Sequence, residues 1–147
     1  MKDENTIEEN DSLTQILGFD PGRDKCGIAV MTLPDTVLYH AVVATAEVER
    51  TIAELLQTYQ PERVVLGNQT LSKQWRDRLR EQCPQMIPIT LVDERNSTLE
   101  ARDRYWQMYP PRGLQRLIPQ GMRLPPCPVD DIVAILLIER YCASCLT

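Results

Sequence analysis

The chain has 147 residues, 43% of them hydrophobic and 25% charged, with a formal net charge of −5. Those figures suit one soluble domain with one sizeable core. They exclude a membrane-spanning protein, because no apolar run approaches about 20 residues. They also argue against tight nonspecific duplex binding, which needs a strong basic footprint.

The charge is unevenly spread. Residues 1–14 hold Asp3, Glu4, Glu8, Glu9 and Asp11 against Lys2, and the rest of the chain is near neutral. The acidic stretch 1–14 reads as a disordered, solvated tail, and 15–147 as a single domain. An acidic N-terminus is the opposite of a secretory signal, so the expectation is a cytoplasmic protein. Five cysteines and one histidine, His40, offer neither a zinc set nor a Cys/His pair. Reduced thiols are expected.

The first folded stretch is Ile16-Leu17-Gly18-Phe19-Asp20-Pro21-Gly22-Arg23-Asp24-Lys25-Cys26-Gly27-Ile28-Ala29-Val30. It parses as strand, turn, strand, with Pro21 and Gly22 suited to reversing the chain. Asp20 then ends a strand facing a turn, where it either ligates a hard cation or hydrogen-bonds the turn. A third strand covers Thr36 to Ala44, so the chain opens with an antiparallel meander.

Strand and helix then alternate. Val48, Ile52, Leu55, Leu56 and Tyr59 mark a helix over 47–59 that Pro61 closes. Val64 to Gly67 is a short buried strand, and Leu71, Trp75 and Leu79 mark a second helix. Ile87 to Val92 is the next strand. Ser97-Thr98-Leu99-Glu100 is an S-x-x-E capping box, which predicts Ser97 as the cap of a third helix running to about Tyr109. Leu99, Tyr105 and Trp106 are its expected apolar side. Trp75 and Trp106 fit core faces better than base-stacking platforms. Pro110 to Pro128 holds six prolines and cannot be a long helix, though Leu114 to Ile118 suits one turn. Val129 to about Cys142 is apolar nearly all round, a buried helix. Such alternation implies parallel strands with helical crossovers.

Acids recur where such a sheet ends: Asp20, Asp93-Glu94 and Asp130-Asp131. Sites in open α/β sheets form beyond the carboxyl ends of the strands. Convergent carboxylates without histidine suit Mg²⁺ or Mn²⁺, which polarise phosphates and activate water. Singly, each acid reads equally well as a loop or first-turn residue.

Four segments resemble the YqgF/RuvX family of RNase H-like nucleases, whose members are described as Holliday junction resolvases or pre-16S rRNA processing nucleases. They are L-G-F-D-P-G-R-D-K-C-G-I-A-V, V-V-L-G-N, V-D-E-R-N-S-T-L-E-A and V-D-D-I-V-A-I-L-L-I-E-R-Y, spanning about Ile16 to Tyr141. The resemblance implies an α/β RNase H-like fold: a mixed five-stranded sheet, its first three strands antiparallel and the rest parallel, with helices on both faces. It implies Asp20, Glu94 and Asp130 as catalytic and metal-holding acids. Asp131 is either a fourth ligand or a first-turn acid. The chain departs from the family at Asn68-Gln69-Thr70, where a proline-containing loop is common. Its D-P-G turn is closer to that of RuvC-type resolvases.

Around that centre Arg23, Lys25, Asn68 and Arg95 are candidate nucleic-acid contacts. Arg112, Arg116 and Arg123 are expected on a basic flap passing near the site. The competing role for that segment is a surface loop that Leu114, Leu117 and Ile118 pin to the core. The leading function is a metal-dependent endonuclease acting on junction DNA or precursor rRNA, as a monomer or homodimer, away from membranes. The alternative is a nucleic-acid-binding or ribosome-assembly factor with weak or no cleavage. A third reading, an actin-like ATPase, is disfavoured by length and by the want of a second phosphate loop.

Overall fold

The computed structural model describes residues 14–69, 71–84 and 87–145. The expected acidic tail lies outside the described residues apart from Thr14, whose carbonyl accepts the Leu33 amide at 2.9 Å.

Five strands form one sheet: β1 (Gln15–Asp20), β2 (Lys25–Thr32), β3 (Thr36–Ala44), β4 (Arg63–Gly67) and β5 (Ile89–Val92). Their order is β3-β2-β1-β4-β5. The β1–β2 and β2–β3 pairs are antiparallel, and β1–β4 and β4–β5 are parallel. This is the mixed sheet expected from the meander followed by strand–helix alternation. β1 lies at its centre with four consecutive buried residues, Ile16 to Phe19, as a strand covered on both faces requires.

Four helices cover the sheet: α1 (Val48–Tyr59), α2 (Ser72–Gln82), α3 (Ser97–Met108) and α4 (Asp130–Cys145). On one face Leu17, Phe19, Ile28, Val64 and Leu66 pack against Ile52 and Leu55 of α1 and Trp75 and Leu79 of α2. Phe19 and Trp75 meet edge to face, with centroids 5.0 Å apart. On the other face Ile16, Ala29, Met31 and Val65 pack against Ala101 of α3 and Ile132 to Ile138 of α4. All seven residues of that α4 run are buried, which explains its lack of a polar stripe. Arg104 of α3 forks onto Glu139 of α4 through bonds of 2.8 and 2.6 Å. Among the described residues no helix is long and apolar enough to cross a membrane.

Three local expectations are corrected. Ser97 does not cap α3. The cap position is Asn96, in the left-handed region at φ 60°, and no side chain bonds the helix end. Ser97 is instead buried at the first helical position, its amide bonded to the Glu94 carbonyl at 3.0 Å. Glu100, the other half of the supposed box, pairs with Arg140 at 3.1 Å. Leu99 is 60% exposed rather than packed. The proline-rich segment forms two short 3-10 turns, Gly113–Leu117 and Gln120–Met122. Leu114 and Leu117 are 80% and 79% exposed, so they do not pin it to the core.

Candidate active site

The sheet's register brings the acids together. Phe19 stands opposite Leu66 in the parallel β1–β4 pair, so Asp20 and Gly67 follow side by side. Asp20 also stands opposite Gly27 of β2. The start of α4 rests on that glycine: a β-carbon at Gly27 would lie 1.8 Å from the Asp130 carbonyl oxygen. Gly67 likewise leaves room for Glu94, whose carboxyl carbon is 2.1 Å from where a Gly67 β-carbon would be. Gly27, near the start of β2, and Gly67, at the end of β4, therefore let two acids close on Asp20.

Glu94 is 3% exposed. Its Oε2 accepts the Gln69 amide at 3.2 Å, and its own amide donates to Asn68 Oδ1 at 3.4 Å. From α4, Arg140 donates to the carbonyls of Asp93 at 2.7 Å and Arg95 at 2.8 Å, gripping the chain on both sides of Glu94.

The electrostatics follow from crowding. The Asp20 carboxyl is pushed up to about 9, first by burial, then by a hydrogen bond and charge from Glu94 and by the charge of Asp130. Like charges about 4 Å apart at an effective dielectric of 20 repel by about 4 kcal/mol, which moves a carboxyl roughly three pKa units. Burial, the larger cause, acts in the same direction. Two carboxyls can share a hydrogen bond only while one of them is protonated. Asp130 is also raised, by burial and by Asp131, and is tempered by the Lys25 charge. Its Oδ2 is buried with no hydrogen-bond partner among the described residues.

This is a set of oxygen donors that cannot hold its full negative charge unaided. A hard divalent cation is the group that would relieve it, and an orphaned buried Oδ2 is a donor such an ion would satisfy. Asp20, Glu94 and Asp130 thus fit a metal in kind. Among the described residues no three His, Cys, Asp or Glu side chains already stand in a coordinating arrangement.

Asp131, read as either a fourth ligand or a first-turn acid, has both oxygens engaged within the protein. Oδ2 meets His40 Nδ1 at 2.7 Å and Oδ1 accepts the Ile132 amide at 2.9 Å. Of the expected substrate contacts, Arg23 is exposed on the β1–β2 turn and Lys25 acts electrostatically on Asp130. Arg95 is exposed, and only its amide bonds Asp93, at 3.0 Å. Asn68 braces Glu94. Arg112 and Arg116 are exposed on the proline-rich segment. Arg123 is not a free cation: Nε donates to the Gln115 carbonyl at 3.1 Å and Nη2 to the Ile118 carbonyl at 2.8 Å. Its guanidinium lies 5.2 Å from the Trp106 centroid, and the Trp106 indole N–H donates to the Arg123 carbonyl at 3.1 Å. It staples the segment to α3.

Residues 14–116 match the family model described as RuvX, Holliday junction resolvase. The chain belongs to the RuvX family. Asp20 and Glu94 fall within the matched span, and Asp130 lies beyond it. The structure resembles Thermus thermophilus RuvC in complex with a Holliday junction substrate, with a TM-score of 0.61 and 16% identity over 90% of this chain and 96% of that one. A second Thermus thermophilus RuvC structure matches at a TM-score of 0.57 with the same identity and coverage. At such identity the likeness concerns the fold alone. No curated protein matches the sequence.

In this RuvX-family chain four residues outside the sequence-derived set shape the site: Gly67, Gln69, His40 and Arg140. Gly67 carried a signal, since it closes an apolar strand at the sheet end where sites form. His40 and Arg140 carried none, being 91 and 47 residues from the partners they meet.

Proposed function

We propose that this protein is a metal-dependent endonuclease that hydrolyses phosphodiester bonds in structured nucleic acid, four-way junction DNA being the first candidate and precursor 16S rRNA the second. One observation carries the reading: Glu94, 3% exposed, and the start of α4 with Asp130 close on the end of the central strand, where burial and the two neighbouring acids push the Asp20 carboxyl up. Uncompensated buried acids are costly to a fold and mark functional sites.

Asp20, Glu94 and Asp130 would hold the cation. When bound, it supplies charge for the scissile phosphate and lowers the pKa of water. The protein's own residues do the positioning. The Gln69 amide, Asn68 and Arg140 fix the Glu94 loop. Lys25 tempers the charge on Asp130 and, with Arg23 and Arg95, meets phosphates beside the cut. Phosphate contacts of this kind set register and carry no sequence information. Symmetric cutting of a junction needs two such centres related by a two-fold axis, whereas rRNA trimming needs one.

The test is cleavage of four-way junctions, duplexes, single strands and precursor rRNA ends with Mg²⁺ and with Mn²⁺, in wild type and Asp20→Asn. Cleavage of one structured substrate that Asp20→Asn abolishes supports the reading. Binding without cleavage under every condition supports the assembly-factor reading instead, which the net acidic charge favours.

A further inference from the structure

Beside the acid cluster lies a cleft of about 520 Å³ that the three acids do not line. A volume of this size suits one organic ligand. The cleft opens where β1 ends, with exposed Arg23 on one rim and Gln69 on the other. Its apolar floor is Leu71, with Trp75 beneath and only 3% exposed. Arg78 lies 4.0 Å over the Trp75 ring and is paired with Glu49, so it forms a fixed wall rather than a free cation. The side-chain amides of Gln69 and Gln74 have no hydrogen-bond partner among the described residues.

That combination has a specific chemistry. Leu71 and the flat Arg78 guanidinium, held over Trp75, receive a flat, weakly polar body. Glutamine amides place a donor and an acceptor side by side, the pattern that matches a base edge. A rim arginine suits the attached phosphate. A phosphate alone would leave the floor and the amides unused, and an aliphatic chain would leave the amides unsatisfied. Gln69 also joins the cleft to the acids, because its backbone amide bonds Glu94 Oε2 at 3.2 Å.

We propose that this cleft is a nucleotide subsite: it holds one unpaired nucleobase next to the scissile phosphate, with Gln69 and Gln74 reading its edge and Arg23 on its phosphate. The assignment rests on the nuclease reading and names the feature of the substrate that the site selects. Extruding a base is cheapest where stacking is already interrupted, as at a branch point. A cleft adjoining the acids therefore favours branched or unpaired substrates over continuous duplex.

The experiment uses the full chain and its best-cut substrate, intact or carrying a single abasic residue at each position flanking the cut. Wild type is expected to lose about tenfold in kcat/KM at one abasic position, the worth of a well-bound base. Gln74→Ala, at an exposed helical position where alanine is well tolerated, is expected to cut the intact substrate at the wild type's abasic rate and to show no further abasic effect. Equal wild-type rates on intact and abasic substrates overturn the subsite and leave the nuclease reading standing. So does full discrimination retained by Gln74→Ala. If no substrate is cut at all, the nuclease reading fails, and the cleft is judged by NMR. Titration with short deoxyribo- and ribo-oligonucleotides is then expected to move the Trp75 indole and the Gln69 and Gln74 amide resonances, while inorganic phosphate does not. No movement, or the same movement with phosphate, overturns the subsite, and the two oligonucleotide arms separate DNA from RNA.

Discussion

A β-carbon on Gly67 would lie 2.1 Å from the Glu94 carboxyl carbon. No side chain fits there unless Glu94 leaves. Gly67→Ala is therefore expected to displace the acid while the sheet survives, because only the last residue of β4 changes. A misplacement of about 1 Å in a catalytic group costs on the order of 10²-fold in rate. Cleavage assays beside far-ultraviolet circular dichroism check this. An alanine variant that folds and cuts normally would remove Glu94 from the site.

The crowded acids make a prediction about pH. The Asp20 carboxyl is pushed up to about 9 in the folded chain from an ordinary value of 3.8. Between those values the folded state binds more protons than the unfolded state, so stability falls as pH rises. The metal-free protein is expected to melt highest in mild acid and progressively lower toward pH 9. Asp20→Asn flattens that slope and raises Tm near pH 8, by roughly 2–4 °C for each kcal/mol of repulsion relieved. Mg²⁺ or Mn²⁺ is expected to raise the wild-type Tm in the same range, since a ligand that binds only the folded state stabilises it. Thermal melts from pH 5 to 9 with and without EDTA are the measurement. A flat wild-type profile would contradict the crowding.

Arg140 is expected to act through Glu94 rather than on the substrate. Its guanidinium reaches the carbonyls of Asp93 and Arg95 from α4. The same helix starts with Asp130, so one rigid rod sets the gap between two of the acids. Arg140→Ala is expected to lower kcat by about tenfold or more with little change in KM, while Arg140→Lys restores part of it. An effect confined to KM would instead place Arg140 on the substrate.

Much of this arrangement was legible in the sequence because it follows from period and punctuation. β1 is an apolar run stopped by Asp20-Pro21-Gly22, and α4 is an apolar run started by Asp130-Asp131. Strand alternation with helices then forces both acids to one edge of the sheet. What failed was local chemistry overridden by tertiary structure. Ser97 and Glu100 have the spacing of a capping box, but the turn after Glu94 puts Asn96 at φ 60° and draws Glu100 to Arg140. Asp131 was open to two readings, fourth ligand or first-turn acid, and nothing in the sequence links it to His40, which reaches it from β3. Arg123 looked like a free cation because its partners are backbone carbonyls, which no side-chain pattern reveals.

That last difference divides the basic residues into two groups with different expected phenotypes. Arg112 and Arg116 are exposed on the proline-rich segment, and Arg23 and Arg95 are exposed near the acids. If they meet phosphates, neutralising them weakens binding to all sequences alike and flattens the salt dependence. Each lost contact lowers the slope of log K against log salt by about 0.9 on duplex and about 0.7 on single strands. Arg123 holds the segment's own carbonyls and lies against Trp106. Arg123→Ala is therefore expected to leave the salt slope unchanged and to destabilise the fold by roughly 1–2 kcal/mol, the scale of lost hydrogen bonds from a charged donor. Binding isotherms from 50 to about 200 mM salt, paired with thermal melts, separate the two. A slope that drops for Arg123→Ala but not for the Arg112→Ala/Arg116→Ala double variant would reverse the assignment and make the stapled arginine the one that touches nucleic acid.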